Sequence, residues 1–125
     1  MNKAIQTKNA PAAVGPYSQG YEAGGFIYVS GQLPINPATG ELIKEDVKAA
    51  AQQSLTNCKG IIEEAGASLT DVVKVEIFLN DMNDFGQVNE VYAAFFGEHK
   101  PARACVEVAR LPLDAPLEIQ MIAYK

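Results

Sequence analysis

The stretch PARACVEVARLP, Pro101 to Pro112, joins a strand-like alternation to an arginine that an apolar core would not accept. Read as a β-strand it points side chains to opposite faces in turn, so Ala102, Ala104, Val106 and Val108 share one face while Arg103, Cys105 and Glu107 share the other. The first set reads as core and the second as the face that displays chemistry. A few residues on, LEIQMIAY repeats the arrangement, with Leu117, Ile119 and Met121 on the apolar side and Glu118 and Gln120 opposite. Two strands therefore offer a guanidinium and a carboxylate, expected on one sheet face.

Upstream, two segments change period. Val47, Ala51, Leu55, Cys58, Ile62 and Ala65 recur at steps of three and four, the stripe of an amphipathic helix, with Asp46 as its N-cap and Gly66 as its stop. Cys58 falls on this stripe and reads as core. Gly60 inside the helix costs up to about 1 kcal/mol relative to alanine, so either the helix tolerates it or close packing requires it. After the polar turn NDMND, Phe85, Val88, Tyr92, Phe95 and Phe96 form a second apolar stripe that Gly97 ends. Asn89 lies beside that stripe, either as a surface amide or as a donor into a pocket.

Between the helices VVKVEIFL alternates again, with Val73, Val75, Ile77 and Leu79 facing one way and Lys74, Glu76 and Phe78 the other. Near the start, a short strand precedes NAPAAVGP, which two prolines keep from being helical, and Tyr17 follows. FIYVS, Phe26 to Ser30, is a strand that ends at Gly31, and LPINPATGE is a hairpin-like excursion. The order strands, helix, strand, helix, strand, strand gives an α+β fold with two helices over one sheet face. The second face would carry Phe26, Tyr28, Phe78 and Tyr124 among Lys74, Glu76, Arg103, Glu107, Glu118 and Gln120. Such a mixture suits a subunit interface with a polar pocket at its seam.

The chain of 125 residues, 48% hydrophobic and 20% charged, is expected to form a single domain over residues 1–125. A net charge of -5 weighs against nucleic acid as a partner, because phosphate binding relies on clustered Lys and Arg. Neither a membrane span nor a secretory leader is recognised, so the expected location is the cytoplasm. Two cysteines and one histidine, His99 in an exposed-looking turn, leave little for a disulfide framework, a metal site or a triad.

The segments APAAVGPYSQG, YVSGQLPINPATGE, LNDMNDFGQVNEVYAAFF and PARACVEVARLP followed by LEIQMIA, in this order, resemble the reactive intermediate/imine deaminase A family, also called the YjgF-type family. The resemblance implies a chorismate-mutase-like fold and a homotrimer with clefts between subunits. It implies hydrolysis of enamines and imines such as 2-aminoacrylate and 2-iminobutyrate to 2-keto acids and ammonia, with no metal and no cofactor. Carried over by position, Arg103 would clamp the substrate carboxylate through its planar fork. Glu118 would orient the attacking water or accept its proton. Backbone groups of Gly31 and Cys105 would touch the substrate, with Tyr17, Ser30, Phe85 and Asn89 lining the cleft. A Cys105 nucleophile is not expected, since no histidine is placed to activate it. The segment GEHK, shorter here than in many relatives, bears on the cleft rim and on substrate range. The same cleft could serve a non-catalytic 2-keto-acid binding or regulatory protein. A ribonuclease or translation inhibitor is the third reading, opposed by the acidic balance and the sparse aromatic-basic pairing.

Overall fold

Asp46 leaves the preceding loop with extended backbone, and its carboxylate accepts the Ala49 N–H at 3.1 Å, which caps the first helix, α1, Val47–Glu64. At the other end Gly66 takes a φ of +86°, and the Gly66 and Ala67 N–H groups close onto the carbonyls of Glu63 and Ile62. The second helix, α2, Phe85–Phe96, also stops at a glycine of positive φ, Gly97 at +66°, whose N–H donates to the Ala93 carbonyl. Of the stripes expected from the spacing, Ala51, Leu55, Cys58 and Ile62 on α1 and Val88, Tyr92 and Phe96 on α2 are buried, joined by Ile61, while Val47, Phe85 and Phe95 are partly buried at the margins.

These faces pack on one side of a single six-stranded sheet. The computed structural model describes residues 2–125. Its strands are β1 Lys3–Ile5, β2 Gly20–Ala23, β3 Phe26–Gln32, β4 Val72–Leu79, β5 Ala102–Glu107 and β6 Leu117–Tyr124. They lie in the order β1-β2-β3-β6-β4-β5. Only β4 and β5 run parallel, joined by α2 as a crossover, and every other pair is antiparallel. Ile27, Val29, Val75, Ile77, Leu79, Leu117, Ile119 and Met121 point into the helices and form one core with them. The α+β architecture with two helices over one face is as expected. No helix among the described residues is long and apolar enough to cross a membrane.

Three expectations are corrected. Strand β2 went unrecognised. It pairs with β3 through a turn at Gly24 and Gly25, both at positive φ, which is the Gly-Gly hairpin signal hidden in YEAGGF. In β4 the inward residue at the start is Val72, not Val73. The register slips between Val72 and Lys74, so Val73 is turned outward and 44% exposed.

The third correction concerns PARACVEVARLP. Arg103 pairs with Val75, Cys105 with Ile77 and Glu107 with Leu79, so these three share the helix-covered face. Ala102, Ala104 and Val106 occupy the open face instead, where Val106 is 48% exposed. The alternation was right and its polarity inverted. Because β5 is an edge strand, only the margin of α2 reaches it, and a charged side chain can lie there without entering the core.

Gly60 faces the N-terminal loop. A Cβ there would lie 2.8 Å from the Asn9 carbonyl oxygen, so close packing is the reason for the glycine. The loop cannot easily retreat, because the buried Gln19 amide donates to the carbonyls of Thr7, Ala10 and Pro11 and accepts from the Thr7 N–H. Gly60→Ala is therefore expected to destabilise by about 1–3 kcal/mol, the cost of overpacking, despite its gain in helix propensity. Denaturant midpoints measure this, and a variant at least as stable as the parent would show that the loop yields.

Candidate active site

At the sheet edge, the helical repeat of α2 places Phe85, Asn89 and Tyr92 on one side at steps of four and three, directly against Arg103. The guanidinium carbon of Arg103 lies 4.7 Å from the centre of the Tyr92 ring and 5.5 Å from that of Phe85. Arg103 Nη1 donates to Asn89 Oδ1 at 2.7 Å. The side chain stays exposed and, among the described residues, forms no ion pair, so the rest of its donor fork is uncommitted. This is a held cation presented to solvent, suited to an incoming carboxylate.

Asn89 therefore acts on Arg103, and its carbonyl oxygen is already engaged. Tyr92, which its place on the α2 stripe explains as core, also belongs to this candidate site. Its signal was available in the spacing of Phe85, Asn89 and Tyr92 along one helix face. Cys105, half-buried beside this cluster, has its thiol pushed above the ordinary range by burial, against a smaller opposing pull from Arg103. It stays a thiol at neutral pH and is a poor nucleophile. His99 does not serve it: Nε2 lies 2.7 Å from the Val72 carbonyl oxygen, and the ring is half-buried rather than in an exposed turn.

On the opposite face a second cluster gathers where β3 meets β6. Between Val29 and Gln32 the β3 register shifts, and this irregularity brings Gly31 against Glu118. A Cβ on Gly31 would overlap Glu118 Oε2 and lie 2.7 Å from Cδ. Burial alone raises the Glu118 carboxyl above the usual range. Ser30 Oγ donates to the Ser18 carbonyl at 2.6 Å, tying the end of β3 to the loop that carries the exposed Tyr17. With its proton so engaged, the Ser30 hydroxyl offers a ligand only its lone pairs.

The site residues expected from sequence thus divide. Phe85, Asn89, Arg103 and Cys105 gather on the helix-covered side; Ser30, Gly31 and Glu118 gather on the other, and Tyr17 is not brought into either group but stands exposed in the loop that Ser30 holds. Arg103 and Glu118 do not share a face: the first pairs with buried Val75, the second with outward Phe78. Farther along the open face lies a depression of about 320 Å³ among Tyr28, Lys74, Glu76 and Gln120, where Gln120 Nε2 donates to Glu76 Oε1 at 2.6 Å.

Residues 7–125 match the family described as Endoribonuclease L-PSP. The 2-iminobutanoate/2-iminopropanoate deaminase of Escherichia coli is 55% identical over 128 residues, covering 100% of this chain and 99% of that protein. A RutC family protein of Pyrococcus horikoshii is 56% identical over 125 residues, covering 100% and 99%. Among solved structures, E. coli TdcF with bound serine superposes with a TM-score of 0.95 at 48% identity, covering 98% of each chain.

Proposed function

This chain belongs to the Endoribonuclease L-PSP family, of YjgF/RutC type, and from that membership we propose that it is a 2-iminobutanoate/2-iminopropanoate deaminase. Its substrates are small 2-imino acids and their enamines, including 2-aminoacrylate and 2-iminobutyrate, and its products are 2-keto acids and ammonia. The observation that carries this reading is the Arg103 fork, steadied on three sides by α2 with donors to spare. It fits the one group that every 2-imino acid presents, a carboxylate beside the C=N carbon. The family description speaks of a ribonuclease, yet a lone guanidinium among aromatic rings on a chain of net charge -5 offers no track for a phosphate backbone.

The reaction adds water across C=N to give a carbinolamine, which then expels ammonia to leave C=O. Arg103 binds the carboxylate and fixes the adjacent carbon in space. Glu118 orients the attacking water and takes up its proton as the C–O bond forms. Because these two side chains lie on opposite faces of one sheet, one substrate can meet both only if a second copy supplies the other half. We therefore assign the cleft to the seam between protomers of a homotrimer with a chorismate-mutase-like arrangement. A heterologous contact of this kind closes into a ring and repeats the cleft at each seam. The aromatic open face, with Tyr28 at 45% and Tyr124 at 51% exposure, supplies apolar surface to bury in it.

A dehydratase supplied with threonine generates the imine in place. Adding this protein is expected to speed 2-keto acid release, and an unchanged rate would refute the enzyme. Calorimetric binding of 2-oxobutyrate without any acceleration would identify a non-catalytic binding protein instead.

The raised carboxyl of Glu118 adds a pH signature. The rate should fall on mild acidification, at higher pH than an ordinary glutamate would dictate, as the carboxylate protonates. Stability runs the other way. The folded chain holds this proton to higher pH than the unfolded chain, so stability declines as pH rises from the unfolded pKa through the folded one. Glu118→Gln is thus expected to raise Tm at neutral pH while slowing turnover. A pH–rate profile and thermal melts at several pH values check both signs.

A further inference from the structure

We propose that Tyr92 is a positioning residue for substrate binding, acting through Arg103: its ring face fixes the plane in which the guanidinium meets the carboxylate. Arg103 rises from an edge strand and is solvent-exposed, circumstances in which a long side chain samples many rotamers. Of the two rings beside it Tyr92 is the nearer, at 4.7 Å against 5.5 Å for Phe85. It is also the more firmly seated. Tyr92 is only 8% exposed and packs on Phe96 with ring centres 4.8 Å apart, whereas Phe85 opens α2 and is only half-buried.

The hydroxyl of Tyr92 is buried and, among the described residues, has no hydrogen-bond partner. For folding alone a phenylalanine would serve better, since an unpaired buried hydroxyl is a cost. This separates the parts of the residue in an experiment: Tyr92→Phe removes the unpaired tip and keeps the ring face, while Tyr92→Leu and Tyr92→Met keep apolar bulk and remove the face. A carboxylate clamp grips substrate and transition state alike, so disturbing it raises KM with little change in kcat.

The kinetic arm rests on the deaminase reading; a second arm does not. In that second arm, 15N relaxation of the Arg103 Nε–H reports the order of the side chain without substrate. Tyr92→Phe is expected to keep the parent's KM and a rigid Arg103. Tyr92→Leu and Tyr92→Met are expected to raise KM about tenfold, within the range of a partly desolvated cation–π contact, and to make Nε mobile. Thermal melts and light scattering confirm that each variant is folded and assembled like the parent; if leucine does not fold, methionine decides. An Arg103 that stays rigid in a folded non-aromatic variant overturns the proposal, as does a phenylalanine variant impaired like the leucine one. Should the parent itself show no turnover, the deaminase reading fails while the relaxation arm still decides the role of Tyr92.

Discussion

Arg103→Ala is expected to lower kcat/KM by a hundred- to a thousandfold while leaving the chain folded. Truncating one partner of a hydrogen-bonded charge pair that substrate binding has buried costs about 2–5 kcal/mol, and about 1.4 kcal/mol corresponds to tenfold. The fold should lose little, because the guanidinium is exposed and its ties are the contact with Asn89 and the faces of Phe85 and Tyr92. Each of those contacts is worth about 0.5–1 kcal/mol at an exposed site, less together than the usual margin of folding stability. Arg103→Lys keeps the charge but not the planar fork and should recover only a minor part of the loss. Steady-state kinetics beside thermal melts separate the two effects. A variant at full rate would remove Arg103 from the mechanism.

The inverted polarity of β5 explains both what the sequence discloses and what it hides. Where a strand or helix is sandwiched, burial follows period, so the α1 stripe and the alternation of β6 could be read directly. At an edge, period survives while its link to burial weakens. Ala102, Ala104 and Val106 on β5 face outward, because among the described residues no element covers the open face, and the arginine lies inward against α2. The bulges in β3 and β4 were equally hidden, since one extra residue shifts the faces of a strand without altering its composition.

The candidate site was legible as a set of residues but not as an arrangement. Motif resemblance supplied Arg103, Glu118, Gly31 and Asn89 and implied a cleft between subunits, yet said nothing about which of them meet within one protomer. The face assignment came from strand register, and that register is what makes a neighbouring copy necessary to the proposed chemistry. The role of Tyr92 was obscured because an aromatic residue on a buried stripe already has a sufficient explanation as core. The spacing of Phe85, Asn89 and Tyr92 along one helix face hints at the second use, and the distance to the guanidinium reveals it.

Gly31→Ala is expected to lower kcat about a hundredfold with a smaller change in KM, and the reason lies in Glu118 rather than in the backbone. Gly31 is not among the glycines at positive φ, so alanine meets no strain there. Its methyl group would instead overlap the Glu118 carboxylate and lie 3.1 Å from Cγ, so the carboxylate must swing away. Moving a catalytic group by about 1 Å can cost about a hundredfold. The cause can be isolated by a double-mutant cycle. In protein already carrying Glu118→Gln, the proposed general base is gone, so adding Gly31→Ala should cost only a fewfold more. If the two losses multiply in full, Gly31 acts independently of Glu118, through its own backbone contact with substrate. If Gly31→Ala retains the parent's rate, the position of the Glu118 carboxylate does not limit turnover, and the water attack must be organised from elsewhere in the cleft.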